Sequence, residues 1–162
     1  MKRRIFGIAA VVVAGLVAGG VGLAISVTAS AHPASPLITS AKTIKFTETH
    51  PHINLVDTGP SGSSAGDYIV FLTTLVNDGH RVGHARGLCT QNFPESVYFC
   101  DGTFLIKGHG QITIAGKFDF SKPGGTIAVT GGTHDFANAR GDADFTFVDA
   151  EGDAAWTVHL IP

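Results

Sequence analysis

The stretch Ala128–Phe145 reads AVTGGTHDFANARGDADF. A short apolar-alternating run meets Gly131-Gly132, passes a polar corner, and leaves through Ala139-Arg140-Gly141 into a new alternation. In that second run Phe145 and Phe147 oppose Asp142, Asp144 and Thr146. A period of two on both sides of a glycine-bounded corner predicts two β-strands joined by a tight reversal.

The same pattern extends outward over the chain. Strands are predicted at Thr43–Thr49, Asp67–Val76, Arg81–Gln91, Ser96–Ile106, Gly110–Phe120, Gly125–Gly131, Gly141–Val148 and Ala155–Ile161. No helical period stands out after residue 31. The breaks carry turn chemistry. Asn77-Asp78-Gly79 supplies residues that tolerate positive φ, Lys107-Gly108 is a tight reversal, and Pro123 ends a strand because it cannot donate into a ladder. Asp149–Asp153 closes the last hairpin, and Gly59–Ser64 forms the longest surface loop.

Eight strands with short connections make a meander. Left flat, it would expose two long edges; closed, it exposes none. The expected fold is therefore all-β, an eight-stranded antiparallel up-and-down barrel, with a two-sheet sandwich as the alternative. Closure requires Thr43–Thr49 to pair with Ala155–Ile161. Ile112, Ile114, Phe118, Phe120, Trp156, Val158 and Leu160 share faces expected to line the interior. The second run, DYIVFLTTLV, is apolar on both faces, which predicts cover from outside and self-association.

The N-terminus begins Met1-Lys2-Arg3-Arg4 and continues through an uncharged apolar run to Ala29-Ser30-Ala31. This predicts a secretory signal over 1–31, cleaved after Ala31, and an extracellular protein. The run is long, so an uncleaved membrane anchor is the competing reading. Residues 32–41 read as a flexible lead and 42–162 as the barrel domain. Without the signal, eight basic residues face thirteen acidic ones, a formal charge of −5. Such a surface repels phosphate backbones, so nucleic acid is not an expected partner. Cys89 and Cys100 suggest one disulfide in an exported chain.

The opening corner also carries a resemblance. Ala128-Val129-Thr130-Gly131-Gly132-Thr133, Asp135-Phe136 and Ala139-Arg140-Gly141 resemble the hallmark corner of the allene oxide cyclase and dirigent protein superfamily. Gly66-Asp67, Asp78-Gly79 before Val82-Gly83, the cysteine on the third strand and the Gly108–Gly116 strand agree with it. The likeness spans about Lys42 to Ile161. It implies an eight-stranded barrel, often trimeric, with an apolar cavity. It departs at His134, where the family usually has glycine.

Candidate polar groups follow. Asp101 shares a strand face with Val97, Phe99 and Leu105; a carboxylate among apolar neighbours has a raised pKa and suits acid–base work, if that face points inward. Tyr68 and Arg86 are candidate cavity or rim groups, and Glu48, ending the first strand, is a candidate at the mouth. Arg140 has two readings: its donors satisfy carbonyls that the corner leaves unpaired, or they bind an anionic group on a ligand. No metal site, nucleophile elbow or phosphate loop is legible.

The resemblance implies a barrel that confines a small apolar or phenolic molecule and cyclises it or steers its reaction, without an organic cofactor. A lipocalin-like carrier or cell-envelope binding module is the alternative, and a fully packed interior is a third. An internal void of about 300 Å³ or more separates the first two from the third. The substrate itself is not legible.

Overall fold

The computed structural model describes residues 40–92 and 96–162. The expected signal over 1–31, and all of the flexible lead up to residue 39, lie outside the described residues.

Eight strands follow one another: β1 (Lys42–Val56), β2 (Tyr68–Asn77), β3 (His80–Gln91), β4 (Val97–Ile106), β5 (Gly110–Asp119), β6 (Gly124–Gly132), β7 (Arg140–Phe147) and β8 (Ala154–Ile161). Each pairs antiparallel with the next, and the sheet closes into a barrel. The closing seam joins β1 to β8, from Lys42 opposite Leu160 to Glu48 opposite Ala154. Closure removes the two long free edges of the meander, the physical reason it curls round, although β1 beyond Glu48 has no β8 partner and β5 pairs with β6 only from Ile112 to Ala115. The sandwich alternative is thereby excluded.

Up-and-down order sorts the connections between two ends. The β2–β3 and β4–β5 turns and the β6–β7 corner gather at one end. The β1–β2, β3–β4, β5–β6 and β7–β8 connections gather at the other. Alternation turns most of the expected faces inward: Ile112, Ile114, Phe145, Trp156, Val158 and Leu160 are buried, while Phe118 is half-buried and Phe120 exposed. Phe104 sits edge-on between Phe46 and Trp156, with ring centroids 4.8 and 5.0 Å away.

The corner of the opening stretch closes the first end. Between β6 and β7 the chain makes one 3₁₀ turn, His134–Phe136, where the sequence predicted no helix. It is pinned back to the barrel by Thr133 N–H to the Gln111 carbonyl (2.9 Å) and Asp135 N–H to the His109 carbonyl (3.1 Å). Phe136 is buried beneath it, and the Lys42 ammonium lies 5.2 Å from the centre of its ring. Two glycines are dictated by space. A Cβ on Gly132 would stand 2.4 Å from the Phe136 carbonyl oxygen, and one on Gly141 would stand 1.9 Å from that of His159. His134 occupies the left-handed region at φ 55°. The turn keeps the geometry that glycine ordinarily supplies, at a cost of about 1 kcal/mol for a side chain with a Cβ.

The strand predictions fail most at β1. It does not stop at Thr49 but runs on to Val56 through a bulge. Thr49 pairs with Thr74 and His52 with Leu72, so His50 and Pro51 together oppose Thr73. His50 adopts φ 54°, and its N–H goes to the Asp153 carboxylate at 2.9 Å rather than into the ladder. A proline is tolerated where the ladder is already interrupted.

Candidate functional site

Period two along β1 sends Ile44, Phe46 and Glu48 to the interior. Glu48 is only 9 % exposed. Its two oxygens are both engaged: the Thr73 hydroxyl donates to Oε1 at 2.6 Å, and the Trp156 indole N–H donates to Oε2 at 2.8 Å. Burial pushes the Glu48 carboxyl above its ordinary 4.5. The two hydrogen bonds pull it back, and the Asp153 charge adds to the push. A carboxyl so placed holds a proton more readily than a surface glutamate. It can donate a hydrogen bond or a proton to a neighbour, and take one back.

Glu48 faces a chamber in the half of the barrel away from the corner. The chamber measures about 110 Å³, with walls that include Phe71, Phe104, Ile114, Phe118, Ile127 and Trp156. Pro51, Ile53, Phe120, Phe147 and Gly152 line it toward the mouth. Glu48 is the only ionisable side chain on its wall among the described residues. Phe118 stacks on Phe145 at 4.1 Å between centroids, and Phe145 lies 5.1 Å from Trp156. On the chamber wall itself Phe118 lies 5.0 Å from Phe120 and 6.2 Å from Phe147 between centroids, so one flank is largely aromatic. Part of the wall is sulfur: Cys89 and Cys100 face each other across β3 and β4 and form a disulfide that lines the chamber. The volume falls short of the roughly 300 Å³ expected of a ligand-holding barrel, so the chamber as it stands is closer to the packed interior and holds a larger guest only if its mouth opens. Toward the corner Leu75, Ile112, Val158 and Leu160 are fully buried, and a second, more open cavity of about 400 Å³ lies at that end among Lys42, Phe46, Arg81, Ile106 and Phe136.

The sequence candidates separate clearly against this geometry. Glu48 lies inside, deeper than the mouth, because β1 continues beyond it. Asp101 does not face the cavity. On β4 Cys100, Gly102 and Phe104 point inward, so the alternate set Phe99, Asp101 and Leu105 points outward, and Asp101 is exposed. The apolar neighbours that suggested an interior are an apolar outer surface; Phe99 is 46 % exposed. Tyr68 starts β2 on the outward face shared with Val70 and Leu72 and does not line the chamber. Arg86 is exposed on the outside of β3. Arg140 lies at the closed end, where its Nη1 donates to the carbonyls of Ala139 (2.7 Å) and Thr130 (3.4 Å). It braces the corner's backbone and does not line the chamber. Two residues of the polar cluster were missed. Trp156 was read only as core, although an indole N–H needs a partner when buried. Thr73 was hidden inside the apolar second run; its alternation with Ile69 and Phe71 was the available signal.

A second buried carboxylate, Asp67, does different work. It accepts the Thr58 N–H (2.9 Å), the Ser64 N–H (2.7 Å) and the Ser64 hydroxyl (3.2 Å). Chiefly those backbone donors, Thr58 first, hold its pKa below 3.8. It anchors the β1–β2 loop at the mouth end. Among the described residues no three His, Cys, Asp or Glu side chains converge to hold a metal ion.

No family model matches the chain, and no curated protein matches it in sequence. Solved structures do match in shape. A pyocyanin demethylase superposes with a TM-score of 0.66 at 24 % identity, over 74 % of this chain and 99 % of that one. A pterocarpan synthase dirigent protein gives 0.63 at 19 % identity, over 76 % and 96 %. This chain has the fold of the dirigent and cyclase barrels. The Diels-Alderase AbmU of Streptomyces koyangensis extends the set, with a TM-score of 0.58 at 14 % identity over 77 % of this chain and 72 % of that one. At such identities the likeness establishes the barrel and its strand order, the architecture that the opening corner implied.

Proposed function

We propose that the barrel takes a small, largely apolar molecule into the chamber beside Glu48 and cyclises it or steers its reaction by confinement. One observation carries this reading: a single buried carboxyl, fixed by Thr73 and Trp156, in an otherwise apolar chamber with aromatic walls. The walls restrict the guest to one folded conformation, removing freedom before the bond forms. Glu48 then supplies a hydrogen bond or proton to an oxygen where negative charge develops, in a medium of low dielectric that strengthens the interaction. No organic cofactor is needed for such chemistry. Entry of a guest larger than the chamber requires Phe120 and Phe147 to turn outward; Phe120 is already 40 % exposed. Barrels of the same fold whose names record a demethylase, a pterocarpan synthase and a Diels-Alderase support a small-molecule role.

The protein acts outside the cytoplasm. The basic, then apolar, then Ala29-Ser30-Ala31 start supports export, and a disulfide suits an oxidising compartment. Self-association, as a trimer or dimer, is supported by exposed Val70, Leu88 and Phe99 on the outer face of β2–β4.

The decisive experiment identifies the molecule that copurifies with the exported protein, then follows its conversion by wild type and Glu48→Gln. Turnover is expected to fall about 10²–10⁴-fold in the variant, the usual worth of a placed acid or base, with guest binding retained. Equal turnover in both proteins removes Glu48 from the mechanism. Binding without any turnover in either supports the carrier reading.

A further inference from the structure

The chain carries a formal charge of −2, yet one outer groove has the opposite sign. It is lined by His50 and His52 from β1, Thr74 from β2, and Arg81, His84 and Arg86 from β3, and it measures about 310 Å³. Register brings these side chains together. His52 pairs with Leu72 and Leu72 with Arg86, while Thr74 pairs with His84. All of them point to the same outer surface. With strands about 4.8 Å apart, His52 and Arg86 stand about 10 Å from each other across the sheet, a span that fits one small anion.

Among the described residues no carboxylate lines the groove. The ion pairs among the described residues lie elsewhere, His109 with Asp135 and His159 with Asp144. The neighbouring acid Asp153 accepts the His50 backbone N–H, and none of the groove's lining residues is acidic. Arg86 Nη2 approaches His84 Nε2 to 3.4 Å, which directs both heads to one spot. The β1 bulge creates the site by turning His50 out of the ladder. Buried Thr73 is the shared wall: it lines the groove on one side and the Glu48 chamber on the other.

We propose that this groove binds a small phosphate-type oxyanion, supplied as inorganic phosphate or as the monoester phosphate of a small organic molecule. A guanidinium fork matches two oxygens of such a group, and imidazole and hydroxyl donors take the others. The net negative charge of the chain opposes extended polyanions such as nucleic acid or an anionic bilayer, and leaves a compact dianion as the ligand.

Titration of the full chain with inorganic phosphate, followed by histidine ring resonances, tests this. Phosphate should move His50, His52 and His84 saturably and leave His159 unmoved. Arg81→Gln/Arg86→Gln should weaken binding by about tenfold or more, the worth of a charged hydrogen bond. Where that pair fails to fold, Arg86→Lys keeps the charge, loses the fork and should still weaken binding. A parallel titration with glycerol 3-phosphate separates the two sources: tighter binding than inorganic phosphate assigns the organic ester, weaker assigns the free ion. Shifts that never saturate, equal movement of His159, or unchanged affinity in the arginine variants would overturn the site. Glu48→Gln should leave phosphate affinity unchanged, so this result and the turnover result stand or fall separately.

Discussion

The two ends of this barrel are built from the same strands and do opposite things. At the corner end Leu75, Ile112, Val158 and Leu160 are fully packed, and Phe136 is buried beneath the corner. Arg140, the residue that makes the corner conspicuous, spends its donors on two backbone carbonyls there. At the mouth end the walls hold apart around a chamber, a carboxyl sits among aromatic rings, and large side chains such as Ile53 and Phe120 are exposed. The difference teaches that the conspicuous corner and the proposed site sit at opposite ends: one end fixes the shape, and the other holds the buried carboxyl.

Stability should divide accordingly. Phe104→Ala, deep between Phe46 and Trp156, should cost about 3–5 kcal/mol in urea unfolding, whereas Phe120→Ala at the mouth should cost under about 1 kcal/mol. Similar losses at both sites would erase the contrast. Next in size is the disulfide. Cys89 and Cys100 are separated by 11 positions, and a loop of that size is worth about 2–3 kcal/mol. The double variant Cys89→Ala/Cys100→Ala should lose that much, and native-state hydrogen exchange should place the loosening in β3 and β4. His134→Gly should raise stability by up to about 1 kcal/mol, relieving the left-handed backbone at the corner. No gain, or a loss, would mean the side chain contributes there after all.

The subtlest effect is in pH dependence, where the two buried carboxylates carry opposite signs. Glu48 is raised, so the folded state holds its proton more tightly than the unfolded chain does. Its contribution is favourable at low pH and is lost as pH rises from about the ordinary 4.5 through the raised value. Asp67 is lowered, so its contribution is present above about 3.8 and is lost as pH falls through the lowered value. Glu48→Gln should flatten the alkaline side of a stability-versus-pH curve, and Asp67→Asn the acid side. Exchange of roles between the two variants would reverse the assignment.

Strand count, order and closure were legible because alternation is a local signal and closure is the remedy for two open edges. Burial of Phe145, Trp156, Val158 and Leu160 was legible for the same reason. The polar cluster was less so. Strand β4 is apolar on both faces, so neighbours alone could not say whether Asp101 looked in or out. Glu48 shared its face with Ile44 and Phe46, a period-two signal for the interior, but Pro51 suggested that the strand ended at Thr49 and left Glu48 at a rim. The partners Thr73 and Trp156 come from β2 and β8, brought to Glu48 only by register and closure, which no local pattern encodes.

The most direct test of the account is a carbon NMR titration of the Glu48 side-chain carboxyl, with and without a bound apolar guest. The account predicts a midpoint above the ordinary 4.5 that moves again when a guest excludes the remaining water. A midpoint at or below 4.5, unmoved by any guest that binds, would place the carboxyl in solvent and contradict a working chamber.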